Sequence, residues 1–123
     1  MKPIIKFIIL ALFSTHINFA QTFDPKLVSK DLEINISETP KRGIEKNNII
    51  YYVEKDLQTI SAYKNKKLQW QTNVIAICGK PEVGEPKIRY FSYKSKKLLV
   101  VMGKHNYAEV NVIDGKTFFL GAD

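Results

Sequence analysis

The chain has one cysteine, Cys78, only two histidines, and no apolar run approaching the roughly 20 residues that a membrane-spanning helix requires. A single cysteine excludes an intramolecular disulfide, so the domain must fold by packing alone. His16 falls in the N-terminal leader described below, which leaves His105 as the histidine of the folded part. Cys78 and His105 are too few for a zinc site built from His and Cys ligands. There is no glycine-rich phosphate loop, no Gly-x-Ser-x-Gly elbow and no pair of carboxylates in an acid/base arrangement. Glu54, Asp56, Glu82 and Glu85 fall in turns and read as solvated charges. These absences assign no catalytic residue, no metal site and no cofactor.

What is present begins at the N-terminus. Lys2 and Lys6 precede the apolar run Phe7 to Phe13, and a more polar stretch follows, ending in the small residue Ala20. That order predicts a cleavable secretory signal over 1–20, hence export to a periplasm or the exterior. Residues 21–123 are then one domain with a modest core. Loss of the leader's two lysines lowers the formal charge from +7 to +5.

The remainder reads as strands. Leu32, Ile34 and Ile36 alternate with polar residues, which predicts a half-buried strand near 31–37. Residues 38–48 carry Pro40, Gly43 and several charges and read as a loop. Ile49 to Val53 is a β-branched and aromatic run, a more deeply buried strand. Strands follow at 59–63, 68–77, 87–93, 98–102, 108–112 and 117–120. Polar tips at 64–67 and 94–97 and the Asp114-Gly115 turn separate them. Pro25 to Lys30 is compatible with a single helical turn. The predicted fold is all-β: an antiparallel meander of about eight strands in two four-stranded units. A shift of 50 residues superimposes the apolar pattern of one unit on the other, Ile60 on Val110 and Leu68 on Phe118.

Ile60-Ser61-Ala62-Tyr63, a polar turn and then Leu68-Gln69-Trp70-Gln71-Thr72 resemble the blade repeat of quinoprotein-like β-propellers. Val112-Ile113-Asp114-Gly115-Lys116 stands at the corresponding place in the second unit, with Phe118 and Phe119 near the Trp position. Two units are too few to close a propeller ring. The resemblance therefore implies a local four-stranded pattern, with two sheets packed face to face or one curled sheet, and not a bound quinone.

In a meander, successive turns alternate between the two ends of the sheet. The turns 38–47, 64–67, 94–97 and 114–116 then share one end. They bring together Lys41, Arg42, Lys46, Lys64, Lys66, Lys67, Lys94, Lys96, Lys97 and Lys116. Such a concentration of charge would attract an acidic protein or an anionic polymer of the cell envelope. No nucleic-acid recognition motif accompanies it. The expected function is therefore a small exported, non-catalytic binding module. An alternative is a carrier of a small apolar ligand held between two sheets by Trp70, Phe118 and Tyr52. A third reading, an enzyme using Cys78, rests on the turns that place Cys78 and His105 on the other end of the sheets.

Overall fold

The computed structural model describes residues 23–123, and the leader predicted over 1–20 lies outside the described residues. Phe23 and Asp24 lead into a short 3-10 turn at Pro25–Leu27, where the Asp24 carboxylate accepts from the Lys26 N–H. Ten strands follow among the described residues: β1 Val28–Ser29, β2 Glu33–Asn35, β3 Gly43–Lys46, β4 Ile49–Val53, β5 Thr59–Lys64, β6 Lys67–Asn73, β7 Ile88–Lys94, β8 Lys97–Met102, β9 Asn106–Asn111 and β10 Thr117–Ala122. One helix, α1, occupies Val74–Cys78.

The all-β expectation holds, in two packed five-stranded sheets ordered β1-β3-β4-β5-β6 and β10-β9-β8-β7-β2. Each contains a four-strand antiparallel meander, β3 to β6 in one and β7 to β10 in the other, so the two-unit reading survives at the level of topology. The inward faces alternate as the sequence does. Tyr51, Val53, Ile60 and Ala62 of the first sheet meet Phe91, Leu98, Val100, Ala108 and Val110 of the second. A smaller cluster lies on the outer face of the first sheet, where Phe23 covers Tyr52 and Tyr63. That cover explains why β4 is apolar on both faces.

Three details differ from the sequence reading. First, the strand near 31–37 belongs to the second sheet, where β2 pairs with β7, Ile34 opposite Phe91. Its expected place is taken by β3, inside the segment read as a loop, flanked by the parallel strand β1. Gly43 looks like a loop signal, but it is a packing requirement: a Cβ there would come within 2.8 Å of the Tyr52 ring.

Second, the strand expected over 68–77 stops at Asn73. The Asn73 side chain caps α1 by accepting from the Ala76 N–H, and Gly79, at φ +90°, ends it. An apolar run such as Val74 to Cys78 fits either a buried strand or a helical turn, and here the flanking caps decide.

Third, Asp114-Gly115 is not a two-residue hairpin turn. The Gly115 N–H reaches the Asn111 carbonyl, and the Asn111 N–H bonds the Lys116 carbonyl, which makes a wider turn over 112–115. This extra length also displaces the 50-residue equivalence. Trp70 packs between the sheets, whereas its counterpart Leu120 is exposed. The two-residue turns are instead Asn47-Asn48, Asn65-Lys66 and Ser95-Lys96, with positive φ at both positions of each.

Candidate binding site at the hairpin end

Those three turns and the loop 112–115 lie at one end of the sandwich, here the hairpin end. Asn47, Lys64, Lys96 and Ile113 together border a cleft there of about 340 Å³. Tyr51, Trp70 and Tyr93 form its floor, with Tyr51 5.8 Å from Tyr93 and 6.2 Å from Trp70 between ring centroids. Ile49 and the exposed Ile113 add apolar surface at the mouth. Burial, reinforced by the neighbouring Tyr93, pushes the Tyr51 hydroxyl up to about 12, so it stays neutral. Tyr51 thus adds no negative charge beside the lysines.

Trp70 builds this end. Its indole N–H donates to the Val112 carbonyl at 2.9 Å. Below it, the Thr72 and Thr117 hydroxyls share a hydrogen bond of 2.8 Å. These two links tie β6 of one sheet to the β9–β10 turn and β10 of the other. The tips that carry lysine are held at a fixed spacing as a result.

The structure collects most of the predicted basic residues. Lys46, Lys64, Lys66, Lys67, Lys94, Lys96, Lys97 and Lys116 all stand at or beside the hairpin-end turns. Asp31, Glu45 and Asp114 share that end. Lys97 pairs with Glu109 at 3.2 Å, and Lys116 lies over the Phe118 ring at 5.5 Å. Among the described residues, Lys64, Lys66, Lys67, Lys94 and Lys96 are exposed and make no ion pair within 4 Å.

Lys41 and Arg42 are not part of this group. Because 43–46 is a strand and not part of a turn, both lie a strand length away, at the opposite end. The Arg42 carbonyl accepts from the Val53 N–H, and its guanidinium donates to the Glu54 carbonyl at 3.3 Å. Lys41 Nζ donates to the Lys26 carbonyl at 2.9 Å. Both side chains hold the N-terminal segment and the 54–58 turn in place.

A second cleft, of about 450 Å³, opens at that opposite end between Ile36, Leu57, Ile88 and the glycines 84 and 103. Two of its three cations, Arg89 and Lys87, are engaged, and Lys104 is exposed. Arg89 donates to the Gly103 and Lys104 carbonyls at 2.6 and 2.9 Å, and Lys87 pairs with Glu85 at 3.5 Å. Backbone bonds from the Lys104 N–H to the Val83 carbonyl and from the Gly103 N–H to the Lys87 carbonyl, both 3.1 Å, fasten the long 79–87 loop to the 103–105 turn.

The residues of the apolar-carrier reading are separated. Tyr52 is buried under Phe23 on the outer face of the first sheet, Trp70 lies between the sheets, and Phe118 is exposed on β10. Cys78 and His105, by contrast, do line one cleft, of about 390 Å³, with His105 Nδ1 3.6 Å from an Asp123 carboxylate oxygen. Cys78 is half-buried at the end of α1, and burial pushes its thiol up, away from the reactive thiolate. No group of metal-binding side chains occurs among the described residues, and no helix among them is long and apolar enough to cross a membrane.

The signal that sequence reading missed is the aromatic floor. Tyr51 and Tyr93 sit 42 positions apart in two units, and only the stacking of the sheets makes them neighbours. No protein-family model matches the chain, and no curated protein is significantly similar to it.

Proposed function

We propose that this chain is a small exported, non-catalytic binding module whose hairpin end recognises an acidic protein or an anionic polymer of the cell envelope. The observation that carries the reading is the cleft over Tyr51, Trp70 and Tyr93, bordered by the unpaired lysines 64 and 96. Lysines at hairpin tips are common on soluble proteins and protect sheet edges. An apolar cleft among them is not needed for solubility. The combination suits a ligand that presents negative charge around an apolar group, which favours an acidic polypeptide segment over a uniform polyanion. Aromatic side chains supply contact area at low entropic cost, and the lysines steer the encounter.

The test compares two charge-reversed variants. One carries glutamate at Lys64, Lys66, Lys94 and Lys96. The other carries it at Lys26, Lys55, Lys80 and Lys104, away from the cleft, with the same change in net charge. The probe is a glutamate-rich peptide bearing one leucine, titrated by fluorescence anisotropy. The expected result is binding by the parent protein and by the second variant, lost in the first. Binding should also weaken with salt through physiological ionic strength, where the screening length is about 8 Å. Equal losses in the two variants, or no binding by the parent, overturn the reading.

A further inference from the structure

The sandwich has four edge strands, and three are protected. β1 has two residues and β2 three, with Glu33 exposed and Asp31 beside it. β6 exposes Lys67, Gln69 and Gln71. Short strands and polar or charged side chains are the usual defences against edge-to-edge pairing. β10 lacks both. It is six residues long, Thr117 to Ala122, with no charge, and it pairs with β9 alone. Phe118, Phe119 and Leu120 are consecutive and 46, 47 and 53% exposed. The exposed Ile77 of the neighbouring α1, and Val83, which lines a cleft with Phe119, enlarge the apolar surface. A bulge at Leu120 increases the local twist but leaves Thr117 to Phe119 in regular register with β9.

The charges around this edge say what covers it. Lys116 stands at the hairpin end of β10 and Asp123 at the other. A second β10 laid antiparallel places the Lys116 end of each strand beside the Asp123 end of the other. The uncharged hexapeptides then meet along their length. The strand is thus its own electrostatic complement. The same arrangement turns the two lysine-rich hairpin ends in opposite directions, as far apart as the dimer permits. A parallel pairing would bring them together, against their repulsion. We infer that the occupant of this edge is a second copy of this chain, joined by antiparallel β10–β10 pairing about a two-fold axis into one continuous ten-stranded sheet.

Sedimentation velocity tests this on the purified protein. The expected species is a dimer that persists at high salt, because backbone hydrogen bonds and apolar contacts dominate the pairing. In Leu120→Lys the dissociation constant should rise by about tenfold or more, through a charge buried at the centre of the pairing. Circular dichroism should be unchanged, since Leu120 is exposed in the monomer. Lys116→Glu should weaken the dimer by between about two- and fivefold at low salt. Lys116→Glu combined with Asp123→Lys should restore it, since the swapped ends remain complementary only in the antiparallel arrangement. A monomer at all concentrations, or a dimer indifferent to Leu120→Lys, overturns the inference. A double charge swap no better than the single one overturns the antiparallel register.

Discussion

The indole nitrogen of Trp70 lies 2.9 Å from the Val112 carbonyl oxygen, and the face of the same ring lies where a side chain on Gly115 would have to go. A Cβ built on Gly115 would stand 2.5 Å from Trp70 Cε3, and Gly115 has φ +79°. One aromatic residue of the first sheet thereby dictates both the hydrogen bonding and the residue type of a turn in the second. The turn holds Ile113 at the mouth of the cleft, and Lys116 follows it with its ammonium over the Phe118 ring. The glycine here is a condition for closing the hairpin end as well as for turning the chain.

Gly115→Ala should therefore be costly in two ways. The left-handed backbone position penalises any Cβ, and the ring cannot retreat from a filled interior. The expected loss is about 3 kcal/mol in urea unfolding. Trp70→Phe keeps most of the packing and removes the donor, and should cost about 1–2 kcal/mol. A Gly115→Ala protein as stable as the parent would show that Trp70 does not fix this turn.

The two-residue hairpins lead to an opposite expectation. Asn65-Lys66 and Ser95-Lys96 hold all four residues at φ between 51 and 65°. Asparagine adopts that region readily, whereas lysine and serine do so at a cost, and glycine is the favoured second residue of such turns. Lys96→Gly should raise stability by about 1 kcal/mol, and Ser95→Asn should add a smaller increment. Thermal unfolding reads both directly. If the lysine end binds an acidic ligand, Lys96→Gly weakens that binding while it stabilises the fold, a trade-off consistent with strained residues kept for function.

Much of this architecture is legible from the sequence, for reasons that also mark where legibility stops. The period-two pattern of Ala108 and Val110, and the apolar runs at 49–53 and 98–102, locate strands because each residue reports on its own burial. β3 escapes detection because only Ile44 of its four residues points into the core and Gly43 mimics a loop. Missing it misplaces Lys41 and Arg42, since an undetected strand moves everything before it to the other end. The helix at Val74 could be found from the Asn73 and Gly79 caps, which outweigh an ambiguous apolar run. The pairing of β2 with β7 depends on which sheet a short strand joins, and the meeting of Tyr51 and Tyr93 on how the two sheets stack. No local pattern encodes either.

Asp56 gives a pH-dependent expectation. Burial of its carboxylate pushes the pKa up, but hydrogen bonds from the Gln58 N–H, the Thr59 hydroxyl and the Thr59 N–H outweigh this and leave it below the usual aspartate value. A carboxylate whose folded pKa is depressed stabilises the fold above its unfolded value. That contribution disappears as pH falls through the folded value. Asp56→Ala should therefore cost about 1 kcal/mol at neutral pH, through loss of the bonds that close the 54–59 turn. The difference between parent and variant should shrink below about pH 4, where the unfolded carboxyl takes up its proton. A gap constant down to pH 2 would assign the effect to the turn's backbone and not to the charge.

Cys78 separates a binding module from an enzyme. A nucleophilic cysteine needs its thiolate stabilised, by a nearby cation or a helix N-terminus. Cys78 sits at the C-terminal end of α1, half-buried, and burial pushes its thiol up from the ordinary value. Iodoacetamide at pH 8 should accordingly label the folded protein more slowly than glutathione, and unfolding in urea should abolish the difference. Cys78→Ala should leave acidic-peptide binding unchanged, because the thiol and the Tyr51–Trp70–Tyr93 cleft lie at opposite ends of the sheets. Labelling faster than glutathione would mean that a cation of the shared cleft, Lys80 or His105, sustains a thiolate there. The Cys78–His105 cleft would then displace the lysine end as the place to look for activity.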